Sequence, residues 1–146
     1  MPRFFMDEGV LSGIIQITGR DAEHIKVLRL RPGETFTICD GRGTDYICRL
    51  LEKKGQGFEA EVIKTVSSAG EPTVNCTVYT AFPKGDKAET IIQKSVEHGA
   101  AKIVFFPSVR CVSRPDGKAV IKKLERWRKI SEEAAKQSER GIIPEV

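Results

Sequence analysis

The sequence predicts an α+β protein in two parts: a small antiparallel β-barrel or sandwich over residues 1–70, then the first part of a parallel α/β domain over residues 71–146. Three observations carry this reading. Glycine-centred turns divide residues 13–64 into short β-prone runs. The stretch Ser67-Ser68-Ala69-Gly70-Glu71-Pro72 has the composition of a linker. Beyond it, apolar runs alternate with segments of helical periodicity.

In the first part, Gly13-Ile14-Ile15-Gln16-Ile17 is a short β-prone run, and Asp21 is placed to cap a brief helix over residues 22–28. Arg31-Pro32-Gly33-Glu34 forms a turn, because proline presets φ and glycine admits positive φ. Thr35-Phe36-Thr37-Ile38-Cys39-Asp40 alternates with period two. Gly41-Arg42-Gly43 turns the chain into Tyr46-Ile47-Cys48-Arg49-Leu50-Leu51. Lys53-Lys54-Gly55-Gln56-Gly57 turns it again into Phe58-Glu59-Ala60-Glu61-Val62-Ile63-Lys64.

In the second part, residues 74–82 lack charge, as expected of a strand buried on both faces. Asp86-Lys87-Ala88-Glu89 has the form of a capping box opening a helix to about His98. Its inner face carries Ala88, Ile91, Ile92, Ser95 and Val96, and Gly99 is a natural residue to close it. Lys102-Ile103-Val104-Phe105-Phe106-Pro107 is a second apolar strand. A loop over 108–117 leads to a long helix over 118–139. Its apolar positions Val120, Ile121, Leu124, Trp127, Ile130, Ala134 and Ala135 recur at three and four, and Gly141 ends it. Ile142-Ile143-Pro144-Glu145-Val146 begins a third strand. Two parallel strands and two helices cannot cover their own apolar faces. The expectation is a portion of a longer protein, or a chain that completes its sheet with a partner.

Composition narrows the function classes. With 40% hydrophobic and 30% charged residues among 146, the chain is globular rather than disordered or fibrous. No apolar run approaches the ~20 residues that cross a bilayer, and Met1-Pro2-Arg3-Phe4-Phe5 has no signal-peptide core. No membrane partner and a cytoplasmic location are expected. Cys39, Cys48, Cys76 and Cys111 form no C-x-x-C pair, so they read as small buried hydrophobes and no metal site is expected. Net charge is −1 over residues 1–71 and +5 over the remaining 75, which points the second half toward a polyanion.

Portable catalytic motifs are absent: there is no G-x-x-x-x-G-K-[ST], G-x-S-x-G or H-E-x-x-H. His24 and His98 sit on separate predicted helices and read as surface or packing residues. Pro83-Lys84-Gly85-Asp86-Lys87 follows a strand and opens a helix, so its N–H groups with Lys84 and Lys87 favour an anion; a solvated turn is the competing reading. Val109-Arg110-Cys111-Val112-Ser113-Arg114 places two arginines at the same sheet edge, while Gln137 and Arg140 close the second helix near the start of the third strand. Arginine suits phosphate through its planar fork, and ordinary surface arginines are the alternative.

At these residues the chain resembles a known family, the SPOUT-class bacterial RNA methyltransferases that modify N3 of a uridine in 16S ribosomal RNA (ribosomal RNA small subunit methyltransferase E). Pro2-Arg3-Phe4-Phe5 is similar to the family's first strand. The run from His24 through Val27-Leu28-Arg29 to Gly33 is similar to its H-x-x-x-V-L-R-x-x-x-G signature, with one residue fewer between His24 and Val27. Lys84-Gly85-Asp86-Lys87, Gln93-Lys94 and Glu97-His98-Gly99 resemble K-G-D-K…Q-K-x-x-E-L-G, and Arg110-Cys111-Val112 resembles R-S-V with Cys111 for serine. Arg126-Trp127, Glu133-Ala134-Ala135-Lys136-Gln137-Ser138, Arg140 and Ile143-Pro144 resemble R-W…E-A-x-E-Q-S-x-R…I-P.

The resemblance implies a PUA-like, RNA-binding barrel over residues 1–70, then the N-terminal part of a SPOUT α/β domain over 71–146, truncated before its trefoil knot. It implies S-adenosylmethionine as cofactor, 16S rRNA or the small ribosomal subunit as partner, and a homodimer for the full-length protein. The family's donor-binding loops are expected beyond Val146, so cofactor-binding and catalytic residues stay unassigned. The RNA-binding candidates are Arg3, His24, Arg29, Arg31, Lys84, Lys87, Arg110 and Arg140. Two functions remain open. One is the N-terminal portion of an rRNA methyltransferase, itself inactive alone. The other is a stand-alone RNA-binding module without catalysis.

Overall fold

The computed structural model describes all residues except 7, 8 and 113. The chain divides into two compact units, Met1–Ala69 and Gly70–Val146.

The first unit contains β1 (Arg3–Phe5), β2 (Ile14–Ile17), α1 (Gly19–Val27), β3 (Thr35–Cys39), β4 (Thr44–Lys54) and β5 (Gly57–Ser67). The strands form one sheet in the order β1-β3-β4-β5-β2. Pairings β3–β4, β4–β5 and β5–β2 are antiparallel, as expected. β1 departs from that expectation: it lies parallel to β3, with Arg3 opposite Thr37, because the chain crosses over through β2 and α1 before returning. Among the described residues β1 and β2 are the sheet's two edges, and no ladder between them closes a barrel.

The hairpin strands β4 and β5 run well past the expected ends, to Lys54 and Ser67. Mutual pairing extends them: Lys54 opposes Gly57 and Thr44 opposes Ser67, with irregularities between Ile47 and Cys48 and between Leu50 and Lys53. One face collects Phe4, Ile17, Ile25, Phe36, Ile38, Tyr46, Leu50 and Ala60 into the core, with Phe4 edge-on to Phe36 at 5.6 Å. Removing each of the Phe, Ile and Leu side chains from water contributes about 1.5–3 kcal/mol. Helix α1 joins this core through Ala22 and Ile25. Its N-cap is Thr18, so Asp21 lies in the first turn rather than at the cap; there its charge complements the helix dipole.

The second unit contains β6 (Thr77–Ala81), α2 (Lys87–Glu97), β7 (Lys102–Phe106) and α3 (Gly117–Gln137). β6 and β7 are parallel, with Thr77 opposite Lys102 and Ala81 opposite Phe106. The expected strand over 74–82 is shorter and less buried than its composition implied. Tyr79 is 70% exposed, because a two-stranded sheet leaves strand edges and part of a face uncovered. Helix α2 buries Ala88, Ile92 and Val96, and α3 buries Trp127, Ser131, Ala134 and Ala135. Phe82, Phe105 and Trp127 form one aromatic cluster, with Phe105 and Trp127 4.5 Å apart.

The capping box at α2 does not form. Asp86 is the N-cap residue but makes no side-chain cap bond, and Glu89 instead pairs with Arg126 at 2.8 Å. The cap of α3 is Asp116, whose carboxylate accepts the Ala119 N–H at 2.8 Å. After α3, Glu145 begins a parallel bridge with Lys102, and the Ser131 hydroxyl donates to the Pro144 carbonyl at 2.7 Å. No described helix is long and apolar enough to cross a membrane.

Candidate functional site

Two candidate cations of the first unit, Arg29 and Arg31, lie where α1 ends. The Leu28, Arg29 and Leu30 N–H groups donate to the carbonyls of His24, Lys26 and Ile25 at 2.9, 3.1 and 3.3 Å. The last two are the overlapping bonds that close a helix through a left-handed residue. Glycine usually occupies that position; here it is Arg29, at φ +54°. The closure turns the chain so that Arg29 and Arg31 are both exposed, two residues apart. The Arg31 N–H is held by the Glu34 carboxylate at 2.8 Å, which fixes the turn and leaves the guanidinium to solvent. His24 stands edge-on to Phe4 at 5.7 Å, so its ring is half-buried beside this turn. His24, Arg29 and Arg31 are thus brought together.

Arg3 is not part of that cluster. Phe4 faces His24, and neighbouring strand residues point to opposite faces. Arg3 Nη2 donates to Asp45 at 2.5 Å, and the Ser68 hydroxyl donates to the same carboxylate oxygen at 2.5 Å. With its side chain 11% exposed, Arg3 ties β1 to β4 and to Ser68 just past β5, a structural placement where an exposed RNA contact was expected.

Arg140 is corrected for the same reason. It is 3% exposed. Its Nε and Nη2 donate to the two oxygens of Glu71 at 3.3 and 2.7 Å, and Nη1 donates to the carbonyls of Val96 and Ala100. Glu71 also accepts the N–H groups of Gly141 and Ile142, each at 2.9 Å. Burial raises the Glu71 pKa, but Arg140 and these two N–H groups outweigh it and hold the carboxyl below its ordinary value. Glu139, not Gly141, takes the left-handed position that ends α3, at φ +56°.

In the second unit, the loops leaving β6 and β7 lie together. The Cys111 thiol donates to the Phe82 carbonyl at 3.5 Å and accepts the Ser108 N–H at 3.2 Å. That contact joins the loop carrying Arg110 to the turn carrying Lys84 and Lys87, and all three cations are exposed. Arg114 donates to the carbonyls of Ser108 and Val109 at 3.1 and 2.9 Å, so it braces this loop. Ser113 lies outside the described residues.

The thiols divide in two. Cys39 and Cys48 are buried, and burial raises both, Cys48 to about 11. Cys76 is exposed and Cys111 half-exposed, which corrects the expectation of buried thiols; the Ser108 N–H lowers the pKa of Cys111. Among the described residues no group of three or more His, Cys, Asp or Glu could hold a metal ion. A reading of 118–139 by its apolar stripe passes over the cations on the opposite face, whose separations of four and seven residues (118, 122, 129) are the available signal.

Comparison with known proteins places these features. Residues 17–63 match the model of the RNA methyltransferase PUA domain, and residues 70–146 match that of the RNA methyltransferase domain. Ribosomal RNA small subunit methyltransferase E of Bacillus subtilis is 37% identical over 89% of this chain and 51% of its own length. The protein of the same name from Mycobacterium bovis is 35% identical over 98% of this chain and 55% of its own. The crystal structure of that methyltransferase from Neisseria gonorrhoeae, bound to S-adenosyl methionine, superposes with a TM-score of 0.86 at 35% identity. The superposition covers 100% of this chain and 61% of that one. The chain thus spans about half the length of the curated relatives it matches. With a methyltransferase-domain match over more than half its residues, preceded by the matching PUA domain, the chain belongs to the RNA methyltransferase family.

Proposed function

We propose that this chain supplies RNA binding and part of the catalytic domain for S-adenosylmethionine-dependent methylation of uridine N3 in 16S rRNA. The supporting observation is the order of the two family domains, PUA then methyltransferase, along a chain that superposes over its whole length on an S-adenosyl methionine-bound relative. In this reading Met1–Ala69 is a PUA-like barrel and Gly70–Val146 the part of a SPOUT domain that precedes its knot. The whole protein is a cytoplasmic homodimer acting on the small ribosomal subunit.

The chemistry defines what these residues must do. Uridine N3 carries a proton and is a poor nucleophile until that proton leaves. N3 is also engaged in base pairing, so the base must be unpaired or flipped out. His24, Arg29 and Arg31 in one unit, and Lys84, Lys87 and Arg110 in the other, hold the RNA backbone. Cations near the base favour the N3 anion.

S-adenosylmethionine supplies the methyl group, and its carboxylate, ammonium, ribose and adenine need convergent polar partners. The cavity along β7, about 250 Å³, is lined by Phe82, Ile103, Phe105, Leu124 and Trp127, with Lys102 already paired to Glu145 at 2.8 Å. These residues do not fit the donor, and no step is assigned to them.

The test is binding of the 146-residue chain to purified small subunits across a salt series. A log–log slope of several units, lowered by about 0.7–0.9 in each of Arg29→Gln and Arg31→Gln, is the expected result. Absence of binding at low salt refutes the proposal.

A further inference from the structure

Helix α3 carries a second cationic surface, distinct from the residues considered so far. Between Lys118 and Lys129 it holds Lys118, Lys122, Lys123, Arg126, Arg128 and Lys129 against one carboxylate, Glu125. At 3.6 residues per turn, Lys118, Lys122 and Lys129 fall on one line of the helix with Glu125 among them, opposite the buried Trp127, Ser131 and Ala134. The line is about 16 Å long at 1.5 Å per residue. All three lysines are exposed. Among the described residues neither they nor Arg128 make an ion pair. Their neighbours are engaged: Arg126 with Glu89 at 2.8 Å, and Lys123 over the Trp127 ring at 5.9 Å.

Position makes this imbalance informative. The amino end of a helix bears partial positive charge, so cations there are unfavourable, and like charges four apart repel. The first turn of α3 nonetheless holds no acidic residue, and Lys118 and Lys122 are four apart. The second half of the same helix behaves otherwise: Lys136 is bracketed by Glu132 and Glu133 at 2.7 and 3.4 Å. One half therefore balances its charge internally and the other does not. The Asp116 carboxylate caps this end and Glu125 stands among the lysines, yet the cations outnumber them, and that surplus points to compensation from outside.

We propose that Lys118, Lys122 and Lys129 form a docking surface for the phosphodiester backbone of RNA, additional to the contact at the end of α1. This inference rests on the RNA-binding reading above. Lysines contact phosphate as point charges, so the surface adds affinity and register without reading sequence.

The experiment is a salt titration, by fluorescence anisotropy, of the full chain on a fluorescein-labelled stem–loop RNA with an unpaired uridine. The triple variant Lys118→Gln, Lys122→Gln, Lys129→Gln is compared with wild type, the triple Lys→Arg variant and the pair Arg29→Gln, Arg31→Gln. Each lost phosphate contact lowers the log–log slope by about 0.7–0.9, so the triple Gln variant is expected to lose about 2–3 and the triple Arg variant none. Relief of repulsion at the amino end of α3 should also raise the Tm of the triple Gln variant, which separates lost binding from lost folding. If wild type binds, the Arg29/Arg31 pair lowers the slope and the triple Gln variant does not, this surface is overturned while the proposed function stands. A slope lost equally in the triple Arg variant also overturns it, because charge would not be the cause. If wild type shows no salt-dependent binding, the RNA-binding reading falls and this inference with it.

Discussion

Replacing Arg29 by glycine separates what the backbone needs at this position from what the side chain does. Arg29 closes α1 at φ +54°, with its own N–H and that of Leu30 donating back into the last turn. A side-chain-bearing residue in this conformation costs roughly 1–2 kcal/mol, while glycine returns about 0.4–1 kcal/mol through the freedom it gives the unfolded chain. The net expectation for Arg29→Gly is a gain of about 0.5–1 kcal/mol. For a unit the size of Met1–Ala69 that is a Tm increase of about 2–8 °C. Arg29→Ala keeps the strained backbone and should leave the stability within about 0.5 kcal/mol of wild type. Both variants lose the guanidinium, so both should lower the RNA salt slope by about 0.7–0.9. The assay pairs calorimetric unfolding with the anisotropy titration. Glu139→Gly, at φ +56° in the matching position of α3, should repeat the stability gain. A glycine variant no more stable than the alanine variant refutes the strain argument. An unchanged slope in both removes Arg29 from the RNA face.

Three further outcomes follow from other contacts. Glu71→Gln leaves the Arg140 charge buried without its partner and should cost about 3–5 kcal/mol in urea unfolding. Because the folded Glu71 pKa lies below its ordinary 4.5, its contribution is complete above pH 4.5 and is lost as pH falls through the folded value; the variant's acid limb should be flatter. Gly70→Ala would drive a methyl into the Glu139 carbonyl oxygen, and a destabilisation of about 1–3 kcal/mol on thermal unfolding is expected; a neutral result contradicts that packing. Alkylation with iodoacetamide at pH 8, followed by mass spectrometry, should modify Cys76 and Cys111 in the native protein, whereas Cys39 and Cys48 react only after unfolding.

What could be read from the sequence was local. Period-two alternation found β3, the apolar spacing found the inner face of α2, and Gly99 marked the end of that helix. What could not be read depended on distant partners. Arg3 meets Asp45 forty-two positions away, and Arg140 meets Glu71 sixty-nine away, so two arginines that look like surface cations are structural. The tips of β4 and β5 are extended by each other, although Lys53, Lys54 and Ser67 have little strand propensity. Helix starts shifted because the cap depends on backbone geometry: Thr18 and Asp116 hold the extended conformation that the N-cap requires. The candidates at the end of α1 could be picked out because a contiguous signature carries them, whereas the lysines of α3 face away from the apolar stripe that defines the helix.

The Arg3–Asp45–Ser68 contact brings the two ends of the first unit together. Arg3 Nη2 lies 3.4 Å from the Ser68 hydroxyl, and both groups share one carboxylate oxygen of Asp45. A unit whose ends emerge side by side is a cassette: it can be set into a surface loop of an unrelated host without stretching either partner. It can also be permuted, with a short linker joining residue 69 to residue 1 and new termini opened at the exposed turn of Gly55 and Gln56. Such a permutant would keep the Asp45 clasp and the closure at Arg29 intact, offering a portable module whose point of attachment is a matter of choice.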